Sequence, residues 1–324
     1  MTLAWKRTCT FILTALATTT FFAPTAWAEE GEGVRWGVTP TLGFQLKNLD
    51  LDQTWVSTTG TREKGGIEAS LPTFVAGVTV DAGRFSLAVR YEDVFEPTSA
   101  RGDVPLTNTT YLEFFDPAPN PKVGTDVERE DLIVTLGFVP WDDKGLALFA
   151  GYLQGETILT PDEVVCPNAT PSDFSTCAID DQANVAYLTG FYVPGSSTYR
   201  QEYEEDGWFA GGSYSWIIGS GALTAAAAYA DMDGRYKDNF GNAAPAPGAT
   251  RLANLEGDST GTSISLRWTQ ALTDTVSYYF DIRRQQYDLE SKSRTVGAWR
   301  DAQVAEVDQK ETMTGLTLGL NVAL

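Results

Sequence analysis

The chain contains no histidine, and beyond its first 28 residues it has no apolar run long enough to cross a bilayer as a helix. Without imidazole it lacks the commonest general base at neutral pH, and with it the Ser–His and Asp–His pairs that many hydrolases use. Carboxylates acting alone do not fill that gap, because among 43 acidic residues any two stand near each other by chance. No enzymatic activity and no cofactor are expected. Cysteine is scarce too, at 3 residues. Cys9 lies in the opening segment, which leaves Cys166 and Cys177 as an even pair in an exported chain, the pattern of a disulfide. With no histidine and no further cysteine nearby, the pair does not make a metal site.

Positive charge is also in short supply, at 23 basic against 43 acidic residues. The opening segment runs Lys6-Arg7, a mostly apolar stretch from Phe11 to Phe22, then Pro24 and the small-residue site Ala26-Trp27-Ala28. That order is a cleavable signal peptide over residues 1–28, leaving residues 29–324 as one domain. Cleavage after Ala28 removes two basic residues and no acidic one, so 21 basic face 43 acidic residues, a net charge of about −22. Such a balance excludes nucleic acid and favours cations or basic surfaces.

What the chain does have is alternation. In residues 33–47 Trp36, Val38, Pro40, Leu42, Phe44 and Leu46 take one parity, and Arg35, Thr39, Thr41, Gln45 and Lys47 take the other. Period two means a strand, with one face suited to lipid and the other to a polar interior. Ten such segments are predicted, at 33–47, 68–81, 84–96, 127–139, 145–156, 203–218, 221–232, 259–271, 274–290 and 306–323. A β-sandwich alternates as well, so the connections decide. Every second one is tight: Asp81-Ala82-Gly83, Trp141 to Lys144, Gly219-Ser220 and Thr273-Asp274. The others are long, at 48–67, 97–126, 157–202, 233–258 and 291–305. Short turns at one end and long loops at the other define an up-and-down transmembrane β-barrel, all-β, with both termini on the tight-turn side. Counting 107–116 and 183–193 as strands would give twelve, but would make the Trp141 turn external, so ten is preferred.

Outward aromatic residues gather in two groups, as membrane interfaces require. Trp36, Phe85, Phe138, Trp216 and Trp268 fall near one rim, and Phe44, Phe74, Tyr91, Tyr152, Trp208 and Tyr229 near the other. Over the whole mature chain the pattern resembles the outer-membrane β-barrels of Gram-negative bacteria, the porin-like class in general, and its strand number resembles the ten-stranded members. The resemblance implies a location in the outer membrane among lipid and lipopolysaccharide. Such barrels usually end on an aromatic residue, whereas this one ends Asn321-Val322-Ala323-Leu324.

The inward parity places Arg35, Lys47, Arg90, Glu92, Arg129, Asp131, Arg267, Asp281 and Arg283 in the lumen. Charges of both signs in so narrow a space must pair or meet water. Two readings follow. One is an internal ion-pair network in a closed barrel; the other is a narrow passage whose charges select solutes. Ten strands lie near the filled end of the size range, while Gly207, Gly211, Ser213 and Ser215 with Ala226, Ala228 and Ala230 leave room on one side. The class points first to a narrow porin-like channel for small solutes or ions. The alternative is a closed barrel displaying acidic loops for surface interaction, adhesion or envelope integrity. Glu202-Glu204-Glu205-Asp206 reads as a solvated acidic rim that also attracts divalent cations, without the ligand spacing of a dedicated calcium loop.

The signal peptide gives a first test. N-terminal sequencing of the protein recovered from outer membranes is expected to begin at Glu29.

Overall fold

The computed structural model describes residues 36–57, 60, 62–103, 122–141, 145–165, 199–240, 253–293 and 304–324. Eleven strands run in chain order: β1 (Trp36–Ser57), β2 (Arg62–Ala82), β3 (Phe85–Val94), β4 (Thr98–Asp103), β5 (Lys122–Phe138), β6 (Leu146–Val165), β7 (Tyr199–Ile218), β8 (Gly221–Phe240), β9 (Ala253–Ala271), β10 (Val276–Ser293) and β11 (Val304–Val322). All pair antiparallel, and β1 closes the sheet by pairing with both β2 and β11. Both β3 and β4 lie between β2 and β5, so they form one interrupted stave and the barrel has ten. Pro97, which has no N–H for the ladder, stands at the interruption.

Walking the register around the barrel from Phe44 leads through Phe74, Asp93, Glu130, Glu156, Glu204, Arg235, Glu256, Lys292 and Glu306 back to Val56. The return is displaced from residue 44 to residue 56, a shear of 12. Ten staves at that shear, with about 4.8 Å between strands and about 3.3 Å per residue, tilt about 40° and set a backbone radius of about 10 Å. Side chains reaching inward from opposite walls therefore meet.

The tight turns at Gly83, Gly219 and Thr273 fall where the alternation predicts them, while 142–144 of the Trp141 turn lie outside the described residues. Gly83 (φ 62°) and Gly219 (φ 63°) each open a two-residue turn in the left-handed region that such hairpins need. Trp36 pairs with Ala82 and Val322 with Val276, so both ends of the described chain lie with the tight turns.

The strands run further into the predicted long connections than the alternation of the lipid-facing band suggests: β1 continues to Ser57, β2 begins at Arg62, β6 continues to Val165 and β8 to Phe240. The cause is an exchange of polarity along each stave. On β1, Leu42, Phe44 and Leu46 point outward and are exposed while Gln45 and Lys47 are buried. Past Lys47 the same alternation continues with its chemistry reversed. Asn48, Asp50 and Asp52 now face outward, and Leu49 and Leu51 are buried. The other staves follow, with Met232 and Tyr236 inside against Asp231, Asp233 and Arg235 outside on β8, and Leu289 inside against Asp288 and Glu290 outside on β10. From Trp36 to Leu46, ten residue steps at that tilt cover about 25 Å of height, the apolar band of an outer-membrane barrel. Beyond it the strands form a barrel for water, polar outside and apolar within. Residues 1–35, with Arg35 and the predicted signal peptide, lie outside the described residues, as do Cys166, Cys177, 107–116 and 183–193.

The change of solvent is testable by substitution. Leu318→Arg, at a 59 % exposed position in the apolar band, is expected to cost about 2–4 kcal/mol, whereas Asp50→Arg beyond the band should stay within about 0.5 kcal/mol. Equilibrium unfolding in denaturant from phospholipid vesicles measures both.

Candidate functional site

Five cations and five anions are buried in the lumen among the described residues: Lys47, Arg90, Arg129, Arg267 and Arg283 against Glu92, Asp131, Glu205, Asp281 and Glu311. They form a belt in the middle of the barrel. Arg267, Asp281 and Arg90 stand four or five residues from the tight-turn ends of β9, β10 and β3, while Glu311 and Glu205 stand eleven and thirteen from those of β11 and β7.

The links cross the lumen. Arg129 Nη1 donates to Glu311 Oε1 at 2.5 Å and to Thr157 Oγ1 at 2.6 Å, and its Nη2 sits 2.7 Å from Asp131 Oδ1. Going from β5 to β11 takes four steps around a ring of ten, so that pair nearly spans the bore. Lys47 Nζ lies 2.7 Å from both Asp131 Oδ2 and Glu92 Oε2, joining the two halves of the belt. Glu92 Oε1 is shared by Arg90 Nε at 2.5 Å and Arg283 Nη1 at 3.4 Å. The Arg90 contact is a charge contact rather than an aligned hydrogen bond. Asp281 stands 3.5 Å from Arg267 Nε and 3.8 Å from Arg283 Nη2, and the Arg267 guanidinium lies 4.5 Å from the centre of the Tyr279 ring.

Charge is not evenly spread within this neutral total. Toward the tight turns, three arginines share Glu92 and Asp281. Toward the loops, Glu205 and Glu311 face Arg129, and Glu205 accepts a hydrogen bond from Ser259 at 2.9 Å. Buried ions are tolerated only when paired, so each member depends on the rest.

An apolar layer lies on the loop side of the belt, with Leu49, Leu51, Leu71, Tyr203, Tyr236 and Leu255 at its core. Gln53 Nε2 of β1 donates to the Tyr203 hydroxyl of β7 at 2.6 Å. Those strands are five steps apart in a ring of ten, at opposite ends of a diameter. A cavity of about 60 Å³ lies beside the belt, against Ala226, Ala228, Ser263, Ser265 and Arg283, where the side chains of β8 and β9 are small.

Eight of the nine predicted lumen residues are therefore buried and brought together; Arg35 lies outside the described residues. Glu205 and Glu311 were missed. Both continue the inward parity, Glu205 two residues before Gly207 and Glu311 four before Gly315, but Glu205 sat inside a run that read as solvated rim. Of that run Glu202, Glu204 and Asp206 do face outward. Carboxylate oxygens of Glu156, Glu202 and Glu204 lie within 4.8 Å of one another, a spacing open to a cation. Lys237 already answers them, bonded to Glu204 and 3.8 Å from Glu202.

No family model and no curated protein matches the chain. Among solved structures, the outer-membrane protease OmpT from Escherichia coli superposes with a TM-score of 0.55 at 9 % identity, over 90 % of this chain and 99 % of that one. The outer-membrane protein OprG from Pseudomonas aeruginosa matches at 0.40 and 10 % identity, over 90 % and 97 %. The Pseudomonas putida toluene transporter TodX matches at 0.33 and 10 %, over 89 % and 90 %. Scores as low as the last two carry no argument. The fold is that of the Gram-negative outer-membrane β-barrels.

Breaking the belt should be costly. Glu92→Gln leaves Lys47, Arg90 and Arg283 short of a counter-charge and is expected to lower unfolding stability by about 3–5 kcal/mol. Glu204→Gln, on the outer face, should cost under about 1 kcal/mol. Denaturant titration of the two refolded variants gives the comparison.

Proposed function

We propose that the protein is a closed outer-membrane barrel whose work is done at the cell surface, by the part that stands clear of the lipid. The observation that carries this reading is the pair of seals across the bore: the ion-paired belt and, above it, the apolar layer tied across a diameter by Gln53 and Tyr203. A bore of about 10 Å backbone radius, filled from both walls at two levels, supports a closed lumen. Above the apolar band, β1 rises for ten more residues from Lys47 to Ser57, about 25 Å of rigid wall.

The outer face of that wall favours a cationic partner. Asp206, Asp233, Asp258, Glu290 and Asp308 are successive cross-strand neighbours from β7 to β11, and Asp93, Glu130, Glu156 and Glu204 are the same from β3 to β7. Like charges placed directly opposite destabilise a sheet by a few tenths of a kcal/mol to about 1 kcal/mol per pair. A basic protein surface, or divalent cations bridging to anionic lipopolysaccharide, would relieve that repulsion. No catalytic step is assigned, since the chain has no imidazole.

A narrow channel is the second reading. The cavity beside Arg283 favours it, because there the packing of the bore is incomplete. Planar bilayers separate the two. Insertion of the refolded, heat-modifiable protein is expected to leave the membrane electrically silent, and reproducible conductance steps would establish the channel instead.

A further inference from the structure

The belt has more positive charge toward the tight turns than its own carboxylates neutralise well. Arg90, Arg267 and Arg283 share Glu92 and Asp281, and Glu92 is also held by Lys47. Arg283 fares worst. Its contacts, 3.4 Å to Glu92 and 3.8 Å to Asp281, are far longer than the 2.7–2.9 Å of a good guanidinium–carboxylate bond. Arg90, fully buried, has no hydrogen-bond partner for Nη1 or Nη2 among the described residues. An interior that leaves guanidinium donors unmet costs stability unless something else accepts from them.

The cavity of about 60 Å³ lies on the side where Arg283 is exposed to it. Ser263, Ser265 and Gln285 add polar groups, while Ile133, Phe149, Leu153 and Phe209 line the other side. Phe149 and Phe209 meet edge to face at 6.3 Å, giving that wall a fixed shape. At about 10–15 Å³ per enclosed water, the volume suits about four to six small heavy atoms. A mostly apolar recess with one cation at its edge selects a ligand with an anionic head and a short apolar body. Between the cavity and the tight-turn ends of β7 and β8, Ser213, Ser215 and Thr224 present small polar groups to the interior.

We propose that this recess is a binding site for a short-chain monocarboxylate, of acetate to butyrate size, held by Arg283 with its hydrocarbon against Phe149 and Phe209. The site is compatible with a closed bore, because it is a recess in the wall beside the belt and needs no passage through the apolar layer. It adds an acceptor where Glu92 and Asp281 are overcommitted.

The test uses the mature chain refolded in detergent micelles, with heat-modified migration as the check of folding, and calorimetric titration with sodium butyrate. Saturable binding is expected, at least tenfold weaker for uncharged butanamide and at least tenfold weaker for Arg283→Gln. Should Arg283→Gln not fold, Ala228→Val decides, since it fills the recess without touching the belt and is expected to abolish binding. No saturable binding by the unaltered barrel, equal binding of butanamide, or unchanged binding by folded Ala228→Val would each overturn the site. Bilayer conductance is read independently, so a failure here is distinguishable from a failure of the closed-barrel reading.

Discussion

A ring of ten staves at a shear of 12 fixes a bore of about 10 Å backbone radius, and everything inside the barrel answers to that width. At such a radius an inward arginine reaches most of the way to the axis. Charged side chains from β1, β3, β5, β10 and β11 are therefore forced into one another's company, and their only stable arrangement is mutual pairing. The belt is a consequence of geometry before it is a device. The same width lets leucine and tyrosine from opposite walls close the bore above it.

Period-two alternation assigns each residue to the inside or the outside, but the meaning of outside changes with height. Below Lys47 it is hydrocarbon, so Leu42, Phe44 and Leu46 are stable there while exposed. Above, it is water, and the apolar parity moves inward to Leu49 and Leu51. The belt sits where the two regimes meet. It supplies polar contacts to an interior whose lower wall is hydroxyl-rich, Thr41 bonding Asn321 and Ser215 pairing with Thr224, and whose upper wall is apolar. A continuous strand carries both regimes because backbone pairing does not depend on which solvent the side chains meet.

Much of this was legible in the sequence. Alternation, the tight turns and the short-then-long rhythm gave ten staves, and inward parity alone located eight described members of the belt. The strand extensions were hidden because the lipid-facing pattern is apolar outward, and Asn48 to Asp52 reverse it without breaking the period. Glu205 and Glu311 stand on the inward parity of the predicted segments 203–218 and 306–323, but Glu205 belongs to an acidic run that reads as solvated rim and Glu311 carries no signal beyond its parity. The pairing of β3 with β10 through Glu92 and Arg283 was beyond reach, since it depends on the curvature of the closed sheet and on no local signal.

The central claim is that each stave passes without interruption from a lipid-facing barrel into a water-facing one with a packed interior. Amide hydrogen exchange of the refolded protein tests it most directly. Residues 48–57 on β1 and 62–67 on β2 should be protected to the same order as 41–47, because they share one continuous ladder and enclose the layer around Leu49 and Leu51. Exchange at those positions as fast as in an unstructured peptide, with protection stopping near Lys47, would contradict the account.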